Sequence, residues 1–162
     1  MRTLMGLLAV CLLACTTTTT TTTSGPATLL IGGANDDGTG FVDWHGATAT
    51  PPIIMGPQGG QHVWVSVRTT RDFYASKMRF TIDMTDLDTA QEVKPGPMQF
   101  TRTLIDDGTV LQFSGITAYV KEPCKITGHH VRVHVDVSDL VGLTGSDEAV
   151  IVPNWTSGAC TP

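Results

Sequence analysis

Nowhere do apolar residues run on for the roughly 20 positions that a membrane-spanning helix requires. The longest such stretch, residues 4–13, stops after ten. Charge is equally sparse. Only 15% of the 162 residues are Asp, Glu, Lys or Arg, and the 15 acidic side chains outnumber the 10 basic ones. That balance supplies no electrostatic footprint for nucleic acid. Reaction signatures are missing too: there is no G-x-S-x-G elbow, no H-E-x-x-H, and no glycine loop opening a helix, since Gly59-Gly60 leads into a strand pattern. We therefore expect a protein that is not an enzyme and holds no cofactor. No segment carries a convincing helical stripe of apolar residues, whereas 17 Gly and 9 Pro favour short strands and many turns.

What is present begins with the amino terminus. Arg2 supplies a positive charge, residues 4–13 are apolar, and small Ala14 precedes Cys15. This is the layout of a cleaved export signal. Leu12-Leu13-Ala14-Cys15 resembles the lipobox of bacterial lipoproteins, although Leu13 stands where smaller residues are commoner. The resemblance implies a signal peptide over 1–14, diacylglycerol on the Cys15 sulfur and acylation of the new amino terminus. More than one acyl chain makes anchoring stable, because a single chain holds a membrane only marginally. Removing 1–14 leaves 148 residues with nine basic and 15 acidic side chains, enough for one domain with an adequate core.

Residues 16–23 are eight consecutive threonines. They have no hydrophobic period and bury no apolar surface, so the expectation for 15–27 is a lipidated cysteine and exposed tether. Twelve residues separate Cys15 from Thr28. Fully extended they reach about 40 Å. The folded domain is expected over 28–162.

Cysteine usage is clean. With Cys11 removed and Cys15 lipidated, Cys124 and Cys160 remain. In an oxidising compartment they are expected to pair.

Period-two alternation marks the strands. Val63, Val65 and Val67 alternate with His62, Trp64, Ser66 and Arg68; Met78, Phe80, Ile82 and Met84 repeat the pattern; Val131, Val133, Val135 and Val137 give the longest run. Each predicts one core face and one wet face. Asp107-Gly108 between 99–105 and 109–120 predicts a type I′ hairpin. Pro51-Pro52 leads into a strand through Met55, and residues 56–60 turn the chain into the next. Short strands separated by turn signals predict an all-β fold, an antiparallel immunoglobulin-like β-sandwich.

PPIIMGPQGGQHVWVSVR (51–68) and GHHVRVHVDVSDLVGLTGSDEAVIVP (128–153), behind a lipobox, resemble uncharacterised outer-membrane lipoproteins of myxobacteria with a GPQGGxHxW-type motif. That resemblance implies a cell-envelope β-sandwich and carries no activity with it.

Candidate chemistry has to come from single residues. His129, His130 and His134 suggest a copper or zinc site. Read as one strand, however, His130 and His134 lie about 13 Å apart and His129 faces the other way, so no two share an ion. Asn35-Asp36-Asp37-Gly38 is similar to part of a calcium loop, but Gly33 and Trp44 occupy positions that need carboxylates, and a surface turn is expected. Asp83, Asp86 and Asp88 read as a solvated edge. The remaining candidate is a surface of His62, Trp64 and Arg68, where an exposed tryptophan flanked by polar groups can stack on a glycan or anchor a partner protein. The expectation is a lipid-anchored envelope module, structural or binding, with no metal; the rival is a small metal-binding envelope protein using its histidines.

Overall fold

Three alternating segments build the core. A computed structural model of the chain describes residues 28–74 and 77–160; the expected signal peptide, Cys15 and the expected threonine tether lie outside the described residues. The strands are β1 (Leu29–Gly33), β2 (Val42–Asp43), β3 (Pro52–Met55), β4 (Gln61–Thr69), β5 (Met78–Asp86), β6 (Gln91–Glu92), β7 (Met98–Arg102), β8 (Ile105–Asp106), β9 (Leu111–Val120), β10 (Val131–Ser138), β11 (Thr144–Ile151) and β12 (Asn154–Trp155). One short helix, α1 (Pro123–Ile126), precedes β10.

The strands form two sheets. In the first, β9 lies along one edge of β4 while β1 and β3 share the other; β2 extends β1 and β8 extends β9. In the second, β11, β10 and β5 run side by side, with β6 and β7 sharing the far edge of β5. Pairing is antiparallel except where β12 joins β3 and Ala49 bridges Ile151. The chain changes sheet after β4, β7, β9 and β11, the Greek-key path of an immunoglobulin-like sandwich.

Val63, Val65, Val67, Phe80, Ile82, Val131, Val133 and Val135 meet between the sheets at 0% exposure. Full burial of each such side chain contributes about 1.5–3 kcal/mol. On the second sheet the outer face is wet, as the alternation predicts, with Arg132 and Asp136 exposed. The first sheet departs from expectation. Its outer residues His62 and Ser66 are 7% and 0% exposed, because the loop 34–41 and the turn 56–60 lie across them. A period-two pattern reports which residues share a face, not whether a distant loop covers it.

The Asp107-Gly108 hairpin forms with different geometry. A type I′ turn needs positive φ at both central residues, and here only Gly108 has it, at +93°. The Asp107 carboxylate instead accepts bonds from the backbone N–H groups of Thr109 (2.9 Å) and Val110 (2.8 Å) and from the Thr109 hydroxyl (2.8 Å). Those bonds pull its pKa down to about 2. The strand expected over 99–105 is broken as well: β7 pairs β5 in one sheet, and β8 pairs β9 in the other.

Cys124, in α1, is disulfide-bonded to Cys160, with Cα atoms 5.3 Å apart. The bridge clips the chain beyond β12 to the helix between β9 and β10.

Candidate binding groove

The groove starts from a tight turn. Gly56 N–H donates to the Gly60 carbonyl (2.8 Å) and Gly59 N–H to the Gly56 carbonyl (2.9 Å); Gly59 sits at φ +80°, a conformation that favours glycine. The turn folds back over His62. A Cβ on Gly56 would stand 3.3 Å from the imidazole Cε1, so glycine lets the backbone close down on the ring.

Register then places His62 between Ile54 of β3 and Tyr119 of β9, with Trp64 opposite Thr117. The His62 and Trp64 rings meet edge to face, centroids 4.3 Å apart at 68°, the arrangement their quadrupoles prefer. Ile54, Met55, Pro57, Met98, Phe100 and Tyr119 complete an open cavity of about 510 Å³. Tyr119 N–H donates to the Met98 sulfur at 3.0 Å, tying β9 to the start of β7. Burial holds the His62 pKa below its ordinary value, against a hydrogen bond to the Gly60 carbonyl that raises it. Burial thus favours the neutral ring. His62 Nε2 and Trp64 Nε1 are buried without a hydrogen-bond partner, an uncommon state for buried polar atoms.

The expected surface of His62, Trp64 and Arg68 is only partly assembled. His62 and Trp64 share the groove, but neither is freely exposed. Arg68 lies further along β4, its guanidinium 4.3 Å from the Phe41 ring centroid and its Nε donating to Gln112 Oε1 at 2.6 Å. Between them the loop 34–41 seals the strand: Gly38 backs the Trp64 indole, and the Ser66 hydroxyl donates to the Gly40 carbonyl at 3.3 Å. Strand parity missed Met55, Met98 and Tyr119, which come from three other strands. The order β3–β4–β9 brings Met55 and Tyr119 in, and β7 reaches in from the other sheet.

One histidine cluster also differs from expectation. His129 and His130 are not in a strand; β10 begins at Val131, so both occupy the turn before it. There His129 Nδ1 lies 2.9 Å from Asp86 Oδ2, and His130 N–H donates to Asp88 Oδ2 at 3.1 Å. Asp86 is not a solvated edge residue. It is 4% exposed, and although burial raises its pKa, bonds from His129, Thr89 and the Asp88 N–H bring it below the ordinary value. Ligating atoms of Asp86, Asp88 and His129 all lie within 4.8 Å of one another, the one such trio among the described residues. His134 stays apart, near Asp136 and Glu148. At the other edge His45 bridges Asp43 (2.8 Å) and Asp147 (3.1 Å), whose carboxylate also accepts from Ile31 N–H (2.8 Å). This cluster joins the two sheets. Residues 35–38 form the expected surface turn, closed by Gly38 N–H to the Asn35 carbonyl at 2.8 Å.

Comparison of the chain with protein-family models, with curated proteins and with solved structures finds no match. No helix among the described residues is long and apolar enough to cross a membrane.

Proposed function

We propose that this protein is a lipid-anchored module of a bacterial cell envelope, tethered through acylated Cys15 to the outer membrane, that binds a partner protein in the His62–Trp64–Tyr119 groove and catalyses no reaction. The observation that carries the binding reading is the groove itself: about 510 Å³, lined by aromatic and methionine side chains, at the end of β4 remote from residue 28. Methionine suits adaptable apolar contact with a peptide side chain. Polar side chains also line the groove, Gln58, Gln61 and Thr117, so a glycan in place of a protein is an outcome the crosslinking below distinguishes. The resemblance to myxobacterial envelope lipoproteins supports the anchor and not the groove.

Two measurements test this. Cys15→Ser should abolish incorporation of labelled fatty acid and release the chain from the membrane fraction; unchanged labelling and fractionation would refute the anchor. Crosslinking from a photoreactive residue at Tyr119 in native envelopes should capture a discrete protein, and Trp64→Ala should lose it. Capture unaffected by Trp64→Ala would refute the groove.

A second reading, a small metal-binding envelope protein, draws on the Asp86, Asp88 and His129 trio. Zinc or copper(II) titration of wild type against Asp86→Asn separates it, since the groove reading predicts identical curves.

A further inference from the structure

The four most exposed large apolar side chains among the described residues are Val141 (77%), Ile105 (70%), Leu140 (63%) and Tyr74 (55%). All four sit at one end of the sandwich. Tyr74 follows β4, Leu140 and Val141 belong to the β10–β11 loop, and Ile105 pairs beside the start of β9. Residue 28 emerges at this same end: Leu29 pairs Thr69, and Thr70 N–H donates to the Thr28 carbonyl at 3.1 Å.

The loop tip is held in shape. The Asp139 carboxylate accepts the N–H groups of Val141 (3.0 Å), Leu143 (2.9 Å) and Tyr74 (3.0 Å). Asp139 itself is 9% exposed. Leu140 and Val141 are thus pushed outward by a bonded scaffold. Beside Leu140, Lys77 and Arg79 line a depression of about 230 Å³ with Thr101, Ser138 and Asp139. Charge is divided accordingly. Five of the nine described basic residues belong to this end (Arg68, Arg71, Lys77, Arg79 and Arg102), with five of 15 acidic ones (Asp72, Asp106, Asp107, Asp139 and, beside Arg79, Asp136). The end is near neutral, while the remainder carries four basic and ten acidic groups.

We propose that this end is a membrane-docking face: Leu140, Val141, Ile105 and Tyr74 enter the headgroup region of an anionic bilayer, and Lys77 and Arg79 contact lipid phosphate. The proposal rests on the anchoring of Cys15, and the tether supplies its main argument. The twelve residues from 16 to 27 reach at most about 40 Å. Turning the groove end to the bilayer would use about 27 Å of that reach to run back beside β4, whereas this end needs none of it. The docking face therefore lies nearest the lipid by default. Four apolar side chains are too few to recruit a chain from solution, but a short tether holds them at millimolar effective concentration, where weak contact is well occupied.

The test uses the full chain with an environment-sensitive thiol dye at Leu140→Cys or at Gln58→Cys in the distal turn, unsubstituted protein serving as the labelling blank. On vesicles of phosphatidylethanolamine and phosphatidylglycerol, the dye at 140 should shift to the blue and be quenched by brominated acyl chains, while the dye at 58 does neither. Replacing phosphatidylglycerol by phosphatidylcholine should weaken the signal about fivefold for each engaged cation. With the dye moved to Ile105→Cys, adding Leu140→Ser and Val141→Ser should cut quenching about tenfold or more at an unchanged melting temperature. Equal behaviour of the two dyes on chains that float with the vesicles would overturn the docking face. So would a blue shift at 140 that depends on protein concentration without lipid, which would indicate pairing of two copies. If the chain fails to float, the anchor is refuted instead, and the 140 dye read at millimolar lipid still decides the face: a response supports it and none overturns it.

Discussion

Gly115→Ala should dislodge the cover of the first sheet. Gly115 sits at the register shift between Val65 and Val67, with φ +71°, and a left-handed conformation costs a non-glycine residue about 1–2 kcal/mol. The larger effect is steric. A Cβ there would lie 2.4 Å from the Gly38 carbonyl oxygen, so the loop 34–41 must retreat by about 1 Å to restore ordinary contact. Retreat breaks the bond from Ser66 to the Gly40 carbonyl, worth about 1 kcal/mol, and uncovers the back of the Trp64 indole. The sum is about 3–4 kcal/mol, or a fall of roughly 10–15 °C in melting temperature for a domain of this size. Gly108→Ala is the control: φ is +93°, yet nothing lies within 4 Å of its Cβ, so only the conformational cost of about 1–2 kcal/mol applies. Calorimetry on both variants should therefore show a difference of about twofold or more. Tryptophan emission, assigned by subtraction of Trp64→Phe, should shift to the red in Gly115→Ala alone. Equal melting temperatures with unchanged emission would refute the claim that a close backbone contact seats the loop.

Reducing the Cys124–Cys160 bridge, or replacing both cysteines by serine, releases a sequence separation of 36 residues and should destabilise the domain by about 3–4 kcal/mol in the chain-entropy model, measured by urea unfolding. Val133→Asp places a carboxylate at a position with 0% exposure and should leave no cooperative unfolding transition, whereas His134→Ala on the outer face should move the melting temperature by no more than a few degrees. Stability should respond to pH in two opposed ways. The His45 pKa is raised, by its bond to Asp43 and then by Asp147, so its contribution is full below about pH 6.5 and is lost as pH rises through the folded value. His62, with a lowered pKa, loses its contribution as pH falls below about 6.5 toward the folded value. Melting curves across that range should flatten on the alkaline side in His45→Gln and on the acid side in His62→Phe; unchanged profiles would reject either assignment.

The alternating segments were legible because burial of one strand face is a local property of the chain. Val131 to Val137 and Met78 to Met84 carry their core assignment in their own spacing, and Cys124 and Cys160 are the pair left once Cys11 and Cys15 are set aside. Long-range covering is different. Nothing near His62 or Ser66 in the sequence announces that residues 34–41 will cross the outer face, and that crossing separates Arg68 from Trp64. The histidine turn escaped for a smaller reason. A boundary two residues later than expected converts His129 from a strand residue on the wrong face into the partner of Asp86. His45 and Asp147, 102 residues apart, meet because β1 closes against β11, a relation that strand periodicity does not encode.

The antiparallel pairing of β1 with β4 has a mechanical consequence. Tension applied between Thr28 and a partner seated at the start of β4 would pull the two strands in opposite directions along their common axis. The four registered pairs from Leu29–Thr69 to Gly32–Ser66 would then be loaded together in shear. Peeling, by contrast, breaks one rung at a time. The bond from Ile31 to Asp147 crosses to the second sheet within the same short strand, so both sheets share the load. A domain strung between a fixed point and a moving one would hold its shape under force on that axis and yield much sooner to force applied across it.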